Sequence, residues 1–75
     1  MFEKIKKRLD WNRANMAAFL YTNKVSYECE EVVWFTKGNE NDYYEIDIWL
    51  DDVFIQIYYN QYGEMNHYEI EEDCY

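Results

Sequence analysis

Proline is absent from this chain of 75 residues, and glycine occurs only as Gly38 and Gly63. No Pro/Gly/Ser-rich stretch marks a linker, so the length bounds the chain to a single domain over residues 1–75. Two isolated glycines also exclude the Gly-rich loops that cradle phosphates. Serine is equally scarce. Ser26 is the one serine and His67 the one histidine, which leaves no Ser/His/Asp set and no oxyanion loop for nucleophilic catalysis. An enzyme is therefore not expected, and no catalytic residue is assigned. Cys29 and Cys74 lack the close spacing of zinc or redox motifs. Free thiols in a reducing compartment are the expectation, with pairing of the two left open. The longest uncharged apolar-rich stretch, Ala14 to Asn23, is far short of the roughly 20 residues that span a bilayer. The basic run Lys4–Arg8 resembles a signal-peptide start, but Asp10, Asn12, Arg13 and Asn15 interrupt any apolar region behind it. The cytoplasm is the expected location.

Positive charge is the other scarcity, and it is sorted by position. Residues 1–24 hold six bases against two acids, a net +4. Residues 25–75 hold one base, Lys37, against 14 acids, a net −13, and the whole chain carries −9. The acidic part is also the aromatic part, within a chain that is 21% Phe, Trp and Tyr. A disordered acidic tail has few aromatics, so a folded body is expected. The charge disfavours direct contact with nucleic acid, because phosphates and carboxylates repel. It favours a basic protein as partner.

Periodicity divides the chain at about residue 24. Phe2, Ile5, Leu9, Met16 and Leu20 recur at helical spacing, with Phe19 beside them. They predict one helix over about residues 2–21, with a kink, a shallow contact or a polar contact at Asn12 or Arg13 and a stop at Thr22-Asn23, since Asn accepts a left-handed cap. Lys4, Lys6, Lys7 and Arg8 form the rim of that helix. From there the period becomes two. A first strand is expected over 25–36, with a bulge at Glu30-Glu31 to repair its phase. A turn-rich loop follows over 37–42. Tyr44, Ile46, Ile48 and Leu50 then alternate with Tyr43, Glu45, Asp47 and Trp49. Asp51-Asp52 is a tight connection. Val53, Ile55, Ile57 and Tyr59 alternate with Phe54, Gln56 and Tyr58. Asn60–Gly63 turns into a last strand over 64–71, with Tyr68 and Ile70 in its apolar phase. The expected fold is α+β, one N-terminal helix on a four-stranded antiparallel meander over about residues 24–72.

Alternation also predicts what the sheet turns away from the helix: Tyr43, Glu45, Asp47 and Trp49, then Phe54, Gln56 and Tyr58, then His67, Glu69 and Glu71, with Glu28 and Glu30. This face has no Lys or Arg, and it mixes large rings with carboxylates, the composition of an interface. Tyr43, Glu45, Asp47, Trp49, Phe54, Tyr58, Glu69 and Glu71 are the expected partner-binding residues. Carboxylates alternating along a strand recur about 7 Å apart, close to the phosphate repeat of a nucleic-acid strand. Rings beside them can take the place of stacked bases. No cofactor is implied. The clusters Glu40-Asn41-Asp42 and Glu71-Glu72-Asp73 lack EF-hand spacing, so no metal site is assigned.

In size, charge and surface chemistry over most of its length, the chain resembles the small acidic inhibitors that phages direct against host nucleases: anti-CRISPR proteins, anti-restriction proteins and uracil-glycosylase inhibitors. The resemblance is one of general character, with no motif and no residue carried over. It implies a non-enzymatic inhibitor that acts in the host cytoplasm on the nucleic-acid-binding surface of a nuclease complex. An antitoxin or immunity protein capping a basic toxin needs the same surface. A homodimer or larger self-assembly burying the aromatic face is the competing expectation of another class.

Overall fold

A computed structural model of the chain describes residues 1–32 and 41–72. Two helices, α1 (Phe2–Lys6) and α2 (Arg13–Thr22), precede four strands, β1 (Tyr27–Glu31), β2 (Tyr44–Leu50), β3 (Val53–Tyr59) and β4 (Met65–Glu72). The strands pair antiparallel in the order β1-β2-β3-β4, so among the described residues β1 and β4 are the edges of the sheet. The architecture is α+β, as the change of period predicts.

The single helix expected over residues 2–21 is broken between Lys7 and Asn12. Asn12 takes an extended conformation and its side chain accepts the Asn15 N–H at 2.9 Å, capping α2. A short amide side chain that bonds its own backbone competes with continuation of the helix. Tight three-residue hydrogen bonds, Arg8 N–H to Ile5 O and Trp11 N–H to Arg8 O, turn the chain through the break. The Arg8 guanidinium lies over the rings of Phe19 and Trp11, at 4.4 and 5.2 Å, and so joins this turn to α2. At the far end, Asn23 is the cap but Lys24, not Asn23, takes the left-handed conformation (φ 56°). Val25 N–H reaches Leu20 O and Lys24 N–H reaches Tyr21 O, the paired bonds of a Schellman stop.

Ile5, Leu9, Met16 and Leu20 from the helical layer meet Ile46, Ile48, Val53, Ile55, Ile57 and Tyr59 of the sheet. Phe2, Phe19, Leu50 and Ile70, expected in this core, pack at its margin. The alternating phase of β2 and β3 therefore puts the expected residues inside.

Two further details depart from expectation. The bulge expected at Glu30-Glu31 is absent, and β1 pairs in regular register from Tyr27↔Ile48 to Glu31↔Tyr44. As an edge strand, β1 tolerates polar residues on both faces, so its broken alternation needs no repair. The sheet's irregularity lies between β3 and β4, where Tyr58 faces His67 but Tyr59 faces Met65. Asn66 is the extra residue, and its amide bonds Asn41 O and Asp42 Oδ1 at 2.9 and 3.2 Å. Residues 33–40, which include most of the second half of the expected first strand and the start of its loop, lie outside the described residues, as do 73–75 with Cys74. The Asn60–Gly63 turn forms as expected. Asn60 Oδ1 accepts the N–H groups of Tyr62 and Glu64, and Gly63 holds φ 80°. Gly63 O accepts the Arg13 N–H at 2.8 Å, tying this turn to the start of α2.

Candidate functional site

The outer face of the sheet, opposite the helices, is ordered in cross-strand rows. Glu30, Glu45, Tyr58 and His67 form one row, Glu28, Asp47, Gln56 and Glu69 the next, and Trp49, Phe54 and Glu71 the third. Residues directly opposite on neighbouring strands have Cβ atoms about 5 Å apart, so each row is a contact line. Trp49 and Phe54 stack at 5.7 Å between centroids with planes 25° apart. Trp49 stays 43% exposed and Tyr43, just before β2, 37%. Glu28, Glu30, Glu69 and Glu71 are exposed toward the two edges. Beside Trp49, a recess of about 450 Å³ is lined by Phe2, Lys24, Leu50, Asp51 and Asp52 among others.

The centre of the face is not the exposed surface that alternation predicts. Glu45 is 4% exposed, Asp47 9% and Tyr58 2%. All three sit on the two inner strands and have neighbours on both sides of their rows. Asp47 is short and lies between Glu28 and Gln56. Tyr58 is covered by the His67 ring, stacked on it at 4.4 Å and nearly parallel. The His67 ring is held in turn by Asp42, whose Oδ2 lies 2.8 Å from Nε2. Asp42 is itself buried. Glu45, Asp47 and Tyr58 are thus removed from the set of residues that can touch a partner's surface. The remaining five, Tyr43, Trp49, Phe54, Glu69 and Glu71, line its margin together with Glu28 and Glu30.

Burial changes the chemistry of the centre. The Glu45 carboxyl is pushed up from its ordinary 4.5 to about 8, first by desolvation, then by contact with the Asp47 carboxyl and by the charges of Asp47 and Glu30. A hydrogen bond from Gln56 partly opposes this. Glu45 therefore holds a proton at neutral pH. Burial and the surrounding acids push the Tyr58 hydroxyl up as well, so it stays neutral. Oε1 of Glu45 and Oδ1 of Asp47 are buried and accept no hydrogen bond from a fixed donor. One oxygen from each of Glu30, Glu45 and Asp47 can be chosen so that all three lie within 4.8 Å of one another.

Sequence reasoning missed Asp42 as the partner of His67, because 25 residues and an unread bulge separate them. The only signal was a lone histidine opposite a tyrosine in a chain rich in acids. Among the described residues, five of the six bases lie in the helical layer. Lys6 sits over Phe2 at 5.2 Å, and Arg13 sits over Tyr44 at 4.2 Å while its Nε–H donates to Cys29 Sγ. Among the described residues no helix is long and apolar enough to cross a membrane. Comparison with family models, with curated proteins and with solved structures finds no match for the chain.

Proposed function

We propose that the chain is a non-enzymatic inhibitor that docks on the basic nucleic-acid-binding surface of a host-defence nuclease complex, of the anti-CRISPR or anti-restriction kind. The observation that carries this reading is the separation of charge by layer. None of the four strands contains a Lys or Arg, while five of the six bases in residues 1–24 lie in α1, α2 or the turn between them. Approach to a cationic groove is then directional, sheet face first. The stacked Trp49 and Phe54 supply the flat apolar anchor typical of hot spots, and Glu28, Glu30, Glu69 and Glu71 supply the surrounding charge. The buried Glu45, Asp47 and Tyr58 fix the shape of the surface rather than touch the target.

Affinity capture from a bacterial lysate, followed by binding measurements on the purified partner, tests this. The expected partner is a basic nuclease or nuclease subunit, released by excess nucleic acid and bound less tightly by Glu28→Lys and Glu69→Lys. Retention of a small cationic toxin would establish the antitoxin reading instead. A partner that binds equally well in the presence of nucleic acid and ignores both charge reversals would overturn the proposal.

A further inference from the structure

We propose that Glu30, Glu45 and Asp47 form a binding site for a hard divalent cation, calcium above all, between β1 and β2. This goes beyond the docking function and does not depend on it. Three carboxylates close together attract cations without making a site. The decisive observation is that two of them are more than nine-tenths buried, that one oxygen of each, Glu45 Oε1 and Asp47 Oδ1, has no fixed hydrogen-bond donor, and that both carboxylates converge with that of Glu30. Buried polar oxygens in folded proteins are almost always satisfied. Here no fixed donor reaches these two atoms, and the proton that Glu45 holds against Asp47 is what an ion would displace on binding.

The donor set selects the ion. Three carboxylate oxygens with no nitrogen or sulfur suit calcium, magnesium or manganese. Calcium bonds of 2.3–2.6 Å let two oxygens sit up to about 4.6–5.2 Å apart across the ion. The mutual distances here, all within 4.8 Å, bring the three oxygens close enough to share one calcium after small side-chain adjustments. Magnesium tolerates little departure from a small octahedron, so it fits less readily. Burial selects the size. An ion would approach the buried Glu45 and Asp47 from the side of the exposed Glu30 on edge strand β1, and their burial disfavours a group as large as a guanidinium. Glu30 and Glu45 face each other across the β1–β2 ladder, and Asp47 follows two residues along the same face. Gln56 on β3, which is not one of the three carboxylates, hydrogen-bonds the Glu45 carboxyl and can serve as an outer-shell group. The exposed side of the ion keeps its water.

The test is calcium alone, added to chelator-stripped full-length protein. With three protein ligands, the expected dissociation constant is in the weak class, about 10⁻⁴–10⁻³ M. Calorimetry should find one site, and calcium should raise the melting temperature above a potassium chloride control of equal ionic strength. Terbium in place of calcium should emit when the tyrosines are excited, because Tyr58 lies directly opposite Glu45. Glu45→Gln and Asp47→Asn should each weaken binding by about tenfold or more. Both are isosteric and remove buried repulsion, so they should fold. If either fails to fold, Glu30→Gln at the exposed position decides, with the same loss expected. Glu72→Gln on the opposite edge should change nothing. No heat and no melting shift at about 10 mM calcium, ten times the weakest affinity expected of such sites, would overturn the proposal. So would binding that survives Glu30→Gln or the Glu45→Gln/Asp47→Asn pair.

Discussion

Glu45 is the residue whose surroundings differ most from those its type prefers. It lies on the inner strand β2 between Glu30 and Tyr58, with Asp47 against it, and its carboxyl is pushed up to about 8. Linkage gives the sign of the consequence. Below about pH 4.5 the group is protonated in both the folded and unfolded chain, and its contribution to stability is complete. Between 4.5 and 8 the folded state holds a proton that the unfolded state has lost, so the contribution shrinks steadily as pH rises. Above 8 the folded protein must carry a buried anion beside Asp47. Glu45→Gln keeps the shape and removes the charge. In chelator at pH 9 it should therefore be more stable than the parent by on the order of 1–3 kcal/mol, with a flatter dependence of stability on pH. Denaturant titrations at several pH values measure both. Equal slopes for parent and variant between pH 5 and 8 would show that Glu45 ionises normally.

Elements end where single residues compete with them. Lys24 holds φ 56° at the stop of α2, a position that glycine fills without strain. Lys24→Gly should raise stability by about 0.5–1 kcal/mol, read as a higher midpoint in urea. A lower midpoint would mean that the lysine stem contributes more packing than the backbone loses to strain. The strands test phase. Ile48 is fully buried in the core, whereas its neighbour Trp49 stands on the outer face. Ile48→Ala should cost about 2–5 kcal/mol of stability. Trp49→Ala should leave the fold intact and weaken partner binding by more than about 1 kcal/mol. Thermal unfolding and affinity on both variants separate these effects, and an exchange of the two outcomes would place the binding surface on the wrong side of the sheet. The alternation of β2 and β3 was readable because a sheet with one apolar face leaves a period of two in the sequence. The break at Asn12 was readable as an interruption but not as two helices, since a capping bond depends on local geometry. The burial of Glu45, Asp47 and Tyr58 was not readable at all. Alternation assigns a face, but cover comes from neighbours that are distant in sequence, such as Asp42 holding His67 over Tyr58.

At the scale of the whole molecule, the chain carries −9, and its described residues separate into an acidic sheet and a basic helical layer. Association with a cationic partner should slow markedly as salt is raised, because screening shortens the reach of the field to about 8 Å at physiological ionic strength. Stopped-flow rates at low and high salt check this, and a flat response would leave the aromatic anchor as the sole basis of recognition. The open edges carry a further consequence. Among the described residues, β1 and β4 each have one rim without a paired strand, and such rims are a template on which further strands can grow. Glu28, Glu30 and Glu31 border one rim, and Glu69, Glu71 and Glu72 the other. Two copies meeting rim to rim would set like charges against each other, so crowding disperses the protein instead of polymerising it. This colloidal protection lasts only while the glutamates are ionised. Near pH 4 light scattering should rise with time, as β-rich, uncharged rims become free to stack into fibrils.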